Sequence, residues 1–190
     1  MKTHRLLALL FLSWLAVSPA FATSNSGARV RYGSGVALTL PDGQRKIVLS
    51  MLNVSHPMRY GDFVWNEDNV PPGPVWVRID LQRQLLSVFR GGHEIGTAVI
   101  LFGTDGKPTP TGLFSILGKD AHHVSNLYDA PMPFMLRLTG DGVAIHASNV
   151  RAGWATHGCI GVPPDFARKL FSATARGDMV VIASESRKTQ

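Results

Sequence analysis

At 190 residues with a formal net charge of +6, the chain accommodates one ordinary domain with extensions. Its Lys and Arg residues form no cluster, which argues against nucleic acid and leaves a mild attraction to anionic surroundings such as a cell wall. A single cysteine excludes a disulfide framework.

Residues 1–22 read as a secretory signal peptide. Lys2 and Arg5 give a positive start, Leu6 to Val17 is apolar apart from Ser13, and Ala20-Phe21-Ala22 fits small-x-small cleavage. The apolar run is short for a membrane span, and no later run is long enough. Cleavage after Ala22 removes two cations and no acid, so the charge falls from +6 to +4.

Residues 23–62 form a lead-in and a hairpin. Thr23 to Gly33 is small and polar and reads as flexible. Strand-like Val36–Leu40 and Lys46–Val54 flank Pro41-Asp42-Gly43, which is turn chemistry. Asp62 to Pro74 reads as a linker. From Val75 a run of short strands begins: 75–81, 84–90, 94–102 and 113–117, separated by Gly- and Pro-containing turns. This pattern predicts a mainly β sandwich or barrel. Residues 120–130 read as an irregular polar loop that could serve as a lid, and 134–138 as another strand. Pro163-Pro164-Asp165 opens one short helix with Phe166, Leu170 and Phe171 on its apolar face and Asp165 as cap. Met179–Ile182 closes the domain, spanning 63–183, and 184–190 is a polar tail.

The chemistry concentrates between Val143 and Pro164. Cys159 is an unpaired cysteine in an exported chain and therefore a candidate reactive thiol. A thiol attacks as thiolate, and imidazole is the usual activator. His146 ends an apolar strand and is the expected general base; His157 either shuttles protons or shapes the turn. Gly158 lets the backbone direct N–H groups at a developing oxyanion. No acid in this stretch orients the base, so a backbone carbonyl at Ala147 or Ser148 is expected to do so. An activated thiol–imidazole pair should react below the ordinary Cys pKa of about 8.5. His122, His123, His146, His157 and Cys159 lack any metal-ligand spacing, so no metal or other cofactor is expected.

His146 followed by Thr156-His157-Gly158-Cys159 resembles the signature of the L,D-transpeptidase (YkuD-type) catalytic domain. Further similarity lies in Thr109-Pro110-Thr111-Gly112-x-Phe114, His122-His123-x-Ser125, Ala130-Pro131-Met132-Pro133 and Arg137-Leu138 leading into Gly142-Val143-Ala144-Ile145-His146-Ala147. The resemblance implies a β-rich catalytic fold in the periplasm or cell wall. It also implies a Cys159 thioester formed on a peptidoglycan stem peptide, passage of the acyl group to an amine, and inactivation by carbapenems. Candidate substrate contacts are Tyr128, Met132, Ser148, Arg151, Trp154 and Thr156. Hydrolysis of the acyl group, or wall binding without catalysis, are the alternative outcomes.

Two departures stand out. The family usually has Arg or Asn two residues after the cysteine; here it is Gly161. The loop Val150-Arg151-Ala152-Gly153-Trp154 adds a cation and an indole, and Arg151 is the expected substitute for the charge missing at 161.

Overall fold

The computed structural model describes residues 27–104, 106–126 and 129–184. The signal-peptide reading, Tyr128 and all of the tail beyond Ser184 lie outside the described residues.

Twelve strands and one helix follow each other in the order β1 (Arg29–Thr39), β2 (Arg45–Leu52), β3 (Phe63–Trp65), β4 (Val75–Asp80), β5 (Leu85–Arg90), β6 (His93–Val99), β7 (Gly112–Ser115), β8 (Gly118–Val124), β9 (Pro131–Arg137), β10 (Ala144–Ala147), β11 (Ile160–Val162), α1 (Pro164–Ala173) and β12 (Met179–Ala183). They form two sheets. The larger runs β1-β2-β6-β5-β4-β12-β7, with β3 on β6; the smaller runs β11-β10-β9-β8. The mainly β expectation, with one short helix after the cysteine, matches this architecture.

The core lies between the sheets and under α1. Val77, Ile79, Leu86 and Val88 come from the larger sheet, Leu136, Ile145, Ile160 and Val162 from the smaller, and Phe166 and Leu170 from the helix. Alternation explains the choice: Ile145 and Ala147 face the core, leaving Ala144 and His146 on the other face of β10. Each fully buried Leu, Ile or Phe contributes about 1.5–3 kcal/mol. Phe166 also meets the rings of Phe63 and Trp65 edge-on, at 5.9 and 5.4 Å.

Three local readings are corrected. The flexible lead-in ends earlier than expected, because Arg29 already begins β1, and the guanidinium explains why. It donates to the carbonyl oxygens of Glu94 and Asn66, tying the hairpin to β6 and the chain after β3. The stretch read as a linker contains β3, whose Phe63–Trp65 pairs with Ala98–Gly96. The stretch read as a lid is mostly strand: 118–124 forms β8 against β9. Its polar sequence hid the pattern because its half-buried positions are filled by Lys119, Ala121 and His123. Lys119 Nζ reaches the carbonyl oxygens of Phe171 and Thr174 at the end of α1 and sits 4.3 Å over the Phe171 ring. Asp165 sits in the first turn of α1 without a side-chain cap bond, and Pro163 occupies the N-cap position.

The hairpin's inner seam holds a buried acid. Glu94 is 2% exposed, accepts the Leu52 N–H at 2.8 Å, and is pushed above the ordinary carboxylate range by burial. A raised folded-state value means the native state holds its proton more tightly than the unfolded chain. Stability is therefore lost as pH rises from the ordinary Glu pKa of about 4.3 through the folded value. Glu94→Gln, which keeps an acceptor for Leu52, is expected to flatten the melting temperature over that range and raise it near neutrality. Thermal unfolding at several pH values checks this.

Candidate active site

β10 and β11 are parallel neighbours with Ile145 level with Ile160, His146 with Gly161 and Ala147 with Val162. Ile145, Ala147, Ile160 and Val162 point into the core. Alternation then places Ala144 and His146, and Cys159 and Gly161, on the opposite face. The expected nucleophile and base are thus diagonal neighbours on one face of two adjacent strands.

His146 Nδ1 lies 2.8 Å from the carbonyl oxygen of Ala147, one of the two carbonyls expected to orient it. A carbonyl only accepts, so Nδ1 carries the hydrogen and Nε2 is the basic nitrogen of the neutral ring. Burial and the charge of His123 hold the His146 pKa below the usual imidazole value, against the opposing Ala147 bond.

Cys159 is half-buried against Met132, Met135 and Ala144. Its Sγ lies 3.7 Å from the Gly142 carbonyl oxygen. Burial pushes the thiol above its ordinary range, Asp141 adds to this, and the Ala144 backbone opposes it. Both shifts favour the neutral forms, against the expectation that the pair reacts below the ordinary Cys pKa. The β9–β10 turn supplies Asp141 and Gly142; the sequence marked Gly142 only as part of a family-like run and gave Asp141 no role.

A brace fixes the turn before the cysteine. Gly158 is buried with φ 104, a left-handed conformation open to glycine. Its carbonyl oxygen accepts from Thr109 Oγ1 at 2.9 Å, and the same hydroxyl oxygen accepts from Gly103 N at 2.9 Å. A Cβ at Gly103 would lie 2.0 Å from the Lys107 carbonyl oxygen and 2.9 Å from Gly158 Cα. Thr156 closes the other side: its hydroxyl donates to the Cys159 carbonyl and its N–H to Phe102 O at 3.0 Å. Thr109 was visible as part of a turn and a family-like element, but its bracing role was not, because its partner lies 49 residues away.

The remaining candidates are dispersed. Met132 lies against the thiol. Ser148 packs on Gly161, where a Cβ would approach Ser148 Cβ to 2.8 Å. Arg151 and Trp154 stand on the exposed side of the loop between β10 and β11. Arg151 Nε donates to Asn149 Oδ1 at 2.9 Å, and the guanidinium carbon lies 5.8 Å from the Trp154 ring centroid. His157 is exposed beside Gly158. Among the described residues, no three His, Cys, Asp or Glu side chains gather as a metal site requires.

Residues 74–182 match the sequence profile of the YkuD L,D-transpeptidase catalytic domain, more than half the chain. The chain belongs to this family. L,D-transpeptidase 1 of Mycobacterium tuberculosis strain H37Rv is 26% identical over 212 residues, covering 88% of this chain and 83% of that protein. The solved L,D-transpeptidase of Stackebrandtia nassauensis is 25% identical with a TM-score of 0.55, over 64% of this chain and 62% of that one. The match thus spans less than two thirds of that solved protein. A further solved L,D-transpeptidase, in complex with imipenem, shares the fold at a TM-score of 0.55 and 23% identity, over 57% of this chain and 58% of that one.

Within this family, Gly161 has a packing explanation here, since Ser148 fills the space a side chain would need. Gly161→Ala is expected to cost about 1–3 kcal/mol, and adding Ser148→Gly to recover most of it, as read by chemical denaturation. The resting electrostatics give a second expectation. Alkylation of Cys159 by iodoacetamide should still be accelerating at pH 8.5, the ordinary Cys value. Asp141→Asn, which removes the adjacent negative charge, should shift the rate profile toward lower pH without changing its plateau.

Proposed function

We propose that the chain is an exported peptidoglycan L,D-transpeptidase with Cys159 as nucleophile and His146 as base. One observation carries this reading. Cys159, the residue before β11, falls by alternation on the face of β10 that carries His146, with His146 Nδ1 committed to Ala147 and Nε2 left basic.

The stem peptide places the carbonyl carbon that follows its L-centre against Sγ. His146 Nε2 takes the thiol proton as sulfur attacks, so the thiolate forms with the bond rather than beforehand. The oxyanion is met by the backbone N–H groups of Gly158 and Cys159, held by the Thr109 and Thr156 bonds. His146 then gives its proton to the departing amine of the terminal D-residue, leaving a thioester on Cys159. An amine of a second stem attacks the thioester, a new amide forms and the thiol is restored. His157 assists proton traffic at the turn. Met132 and Ser148 line the groove, Thr156 bounds it through the turn, and Arg151 and Trp154 form an exposed rim. Tyr128 is a further proposed substrate contact. The periplasm or cell wall is the proposed location, with residues 1–22 as its export signal and 63–183 as the catalytic domain. Carbapenems would acylate the same sulfur.

The test is mass spectrometry of the purified protein with disaccharide-tetrapeptide, beside Cys159→Ala. Crosslinked dimers from the native protein are expected, with turnover lowered about 10³-fold or more in the variant. Cleaved monomers without dimers would instead establish hydrolysis. No product and no carbapenem adduct on folded protein would leave wall binding as the function.

A further inference from the structure

Strand β9 contains a backbone conformation that bulky side chains seldom adopt. Phe134 has φ 56, in the left-handed region. In a regular strand, residues two apart share a face. Met132 and Met135 are three apart, yet both belong to the cluster against Cys159. Phe134 turns the other way and packs on Phe171, ring centroids 5.9 Å apart. The alternation therefore slips by one residue at Phe134.

The neighbouring strand slips at the same level. Asp120 is level with Met135 and His123 with Met132. These two are also three apart, and they touch: Asp120 Oδ2 lies 3.6 Å from His123 Nδ1. Directly opposed residues of an antiparallel pair share a face. The ladder thus carries Asp120 and His123 onto the Cys159 face, flanking the two methionines. His123 lies near enough to act electrostatically on His146, two strands away, as this placement requires. Asp120 is itself fixed, because its Oδ1 accepts the His122 N–H at 2.9 Å.

We propose that Asp120 and His123 form a wall of the acyl-donor groove, and that His123 Nε2 accepts a hydrogen bond from an N–H of the bound stem peptide. This rests on the transpeptidase reading above. The chemistry follows from the pair. With Nδ1 turned toward the Asp120 carboxylate, 3.6 Å away, the neutral ring that keeps its proton on that side presents Nε2 as an acceptor. A peptide laid across Met132 toward Cys159 presents backbone N–H groups at that height. His123 is a specificity residue; the base remains His146. The slip at Phe134 has a use in this scheme. Without it His123 and Met132 would face the helix side of the sheet and the wall would be missing.

Steady-state kinetics with disaccharide-tetrapeptide test the proposal, with iodoacetamide alkylation of Cys159 as a measure independent of peptide binding. His123→Ala is expected to raise KM about ten-fold, the loss of one substrate hydrogen bond, while kcat, the alkylation rate and the melting temperature stay within two-fold or a few degrees. His123→Gln, which restores an acceptor oxygen, is expected to recover most of the KM. If the alanine variant folds poorly, His123→Phe beside His123→Gln decides. A raised KM in the phenylalanine variant alone supports the assignment, and equal values in both overturn it. Native turnover with KM unchanged in His123→Ala sinks only this proposal. Native protein without any turnover of stem peptides sinks the transpeptidase reading and this proposal with it.

Discussion

Two hydrogen bonds between Leu101 and Gly161, 2.8 and 3.0 Å long, join the large sheet to the small one. The chain leaves β6, passes Leu101, and lies against β11 on the side opposite β10. Gly161 is therefore held between two backbones, Leu101 on one side and His146 on the other. That confinement sets the height of β11, and with it the height of Cys159 relative to His146. The Thr109 brace acts on the same segment one turn earlier, through Gly103 and Gly158. The site is a seam between sheets, and its geometry is set by backbone pairing more than by contacts among reactive side chains.

Much of this was legible in the residues. Apolar alternation at 75–80, 85–90 and 179–183 reads directly as strand, since the core wants Val and Ile on one face. The Thr-His-Gly-Cys run carries its own geometry, because Gly158 occupies a left-handed position before the cysteine. Other features were illegible for a physical reason. β8 carries lysine and histidine where a pattern search expects apolar residues, and their partners are a helix terminus and an aspartate. Thr109 acts across 49 residues of sequence. Arg29 fixes the start of β1 by reaching carbonyl groups 37 and 65 residues away. Local pattern reports local alternation; it is silent on where a long polar side chain finds its partner.

The resting electrostatics refine what the motif implies. A cysteine beside a histidine invites an ion pair, but burial disfavours charge on both groups here. The imidazole is aimed by a neutral carbonyl instead of a carboxylate, so nothing nearby rewards an imidazolium strongly. In the proposed reaction, proton transfer is thereby coupled to attack on a bound carbonyl. A thiol that rests protonated is also slower to oxidise.

The borders of the sheets bear on how the molecule behaves in crowded company. β1 closes one end of the large sheet, and its register slips between Arg31 and Val36 around Gly33 and Gly35. Arg29 and Arg31 lie on the same strand, and β7 at the far end has only four residues. β8, the border of the small sheet, carries Lys119, Asp120, His122 and His123. A bent, cationic or very short border is a poor template for a foreign strand. Among the described residues, the sheet borders offer no long flat ribbon on which fibrils could seed.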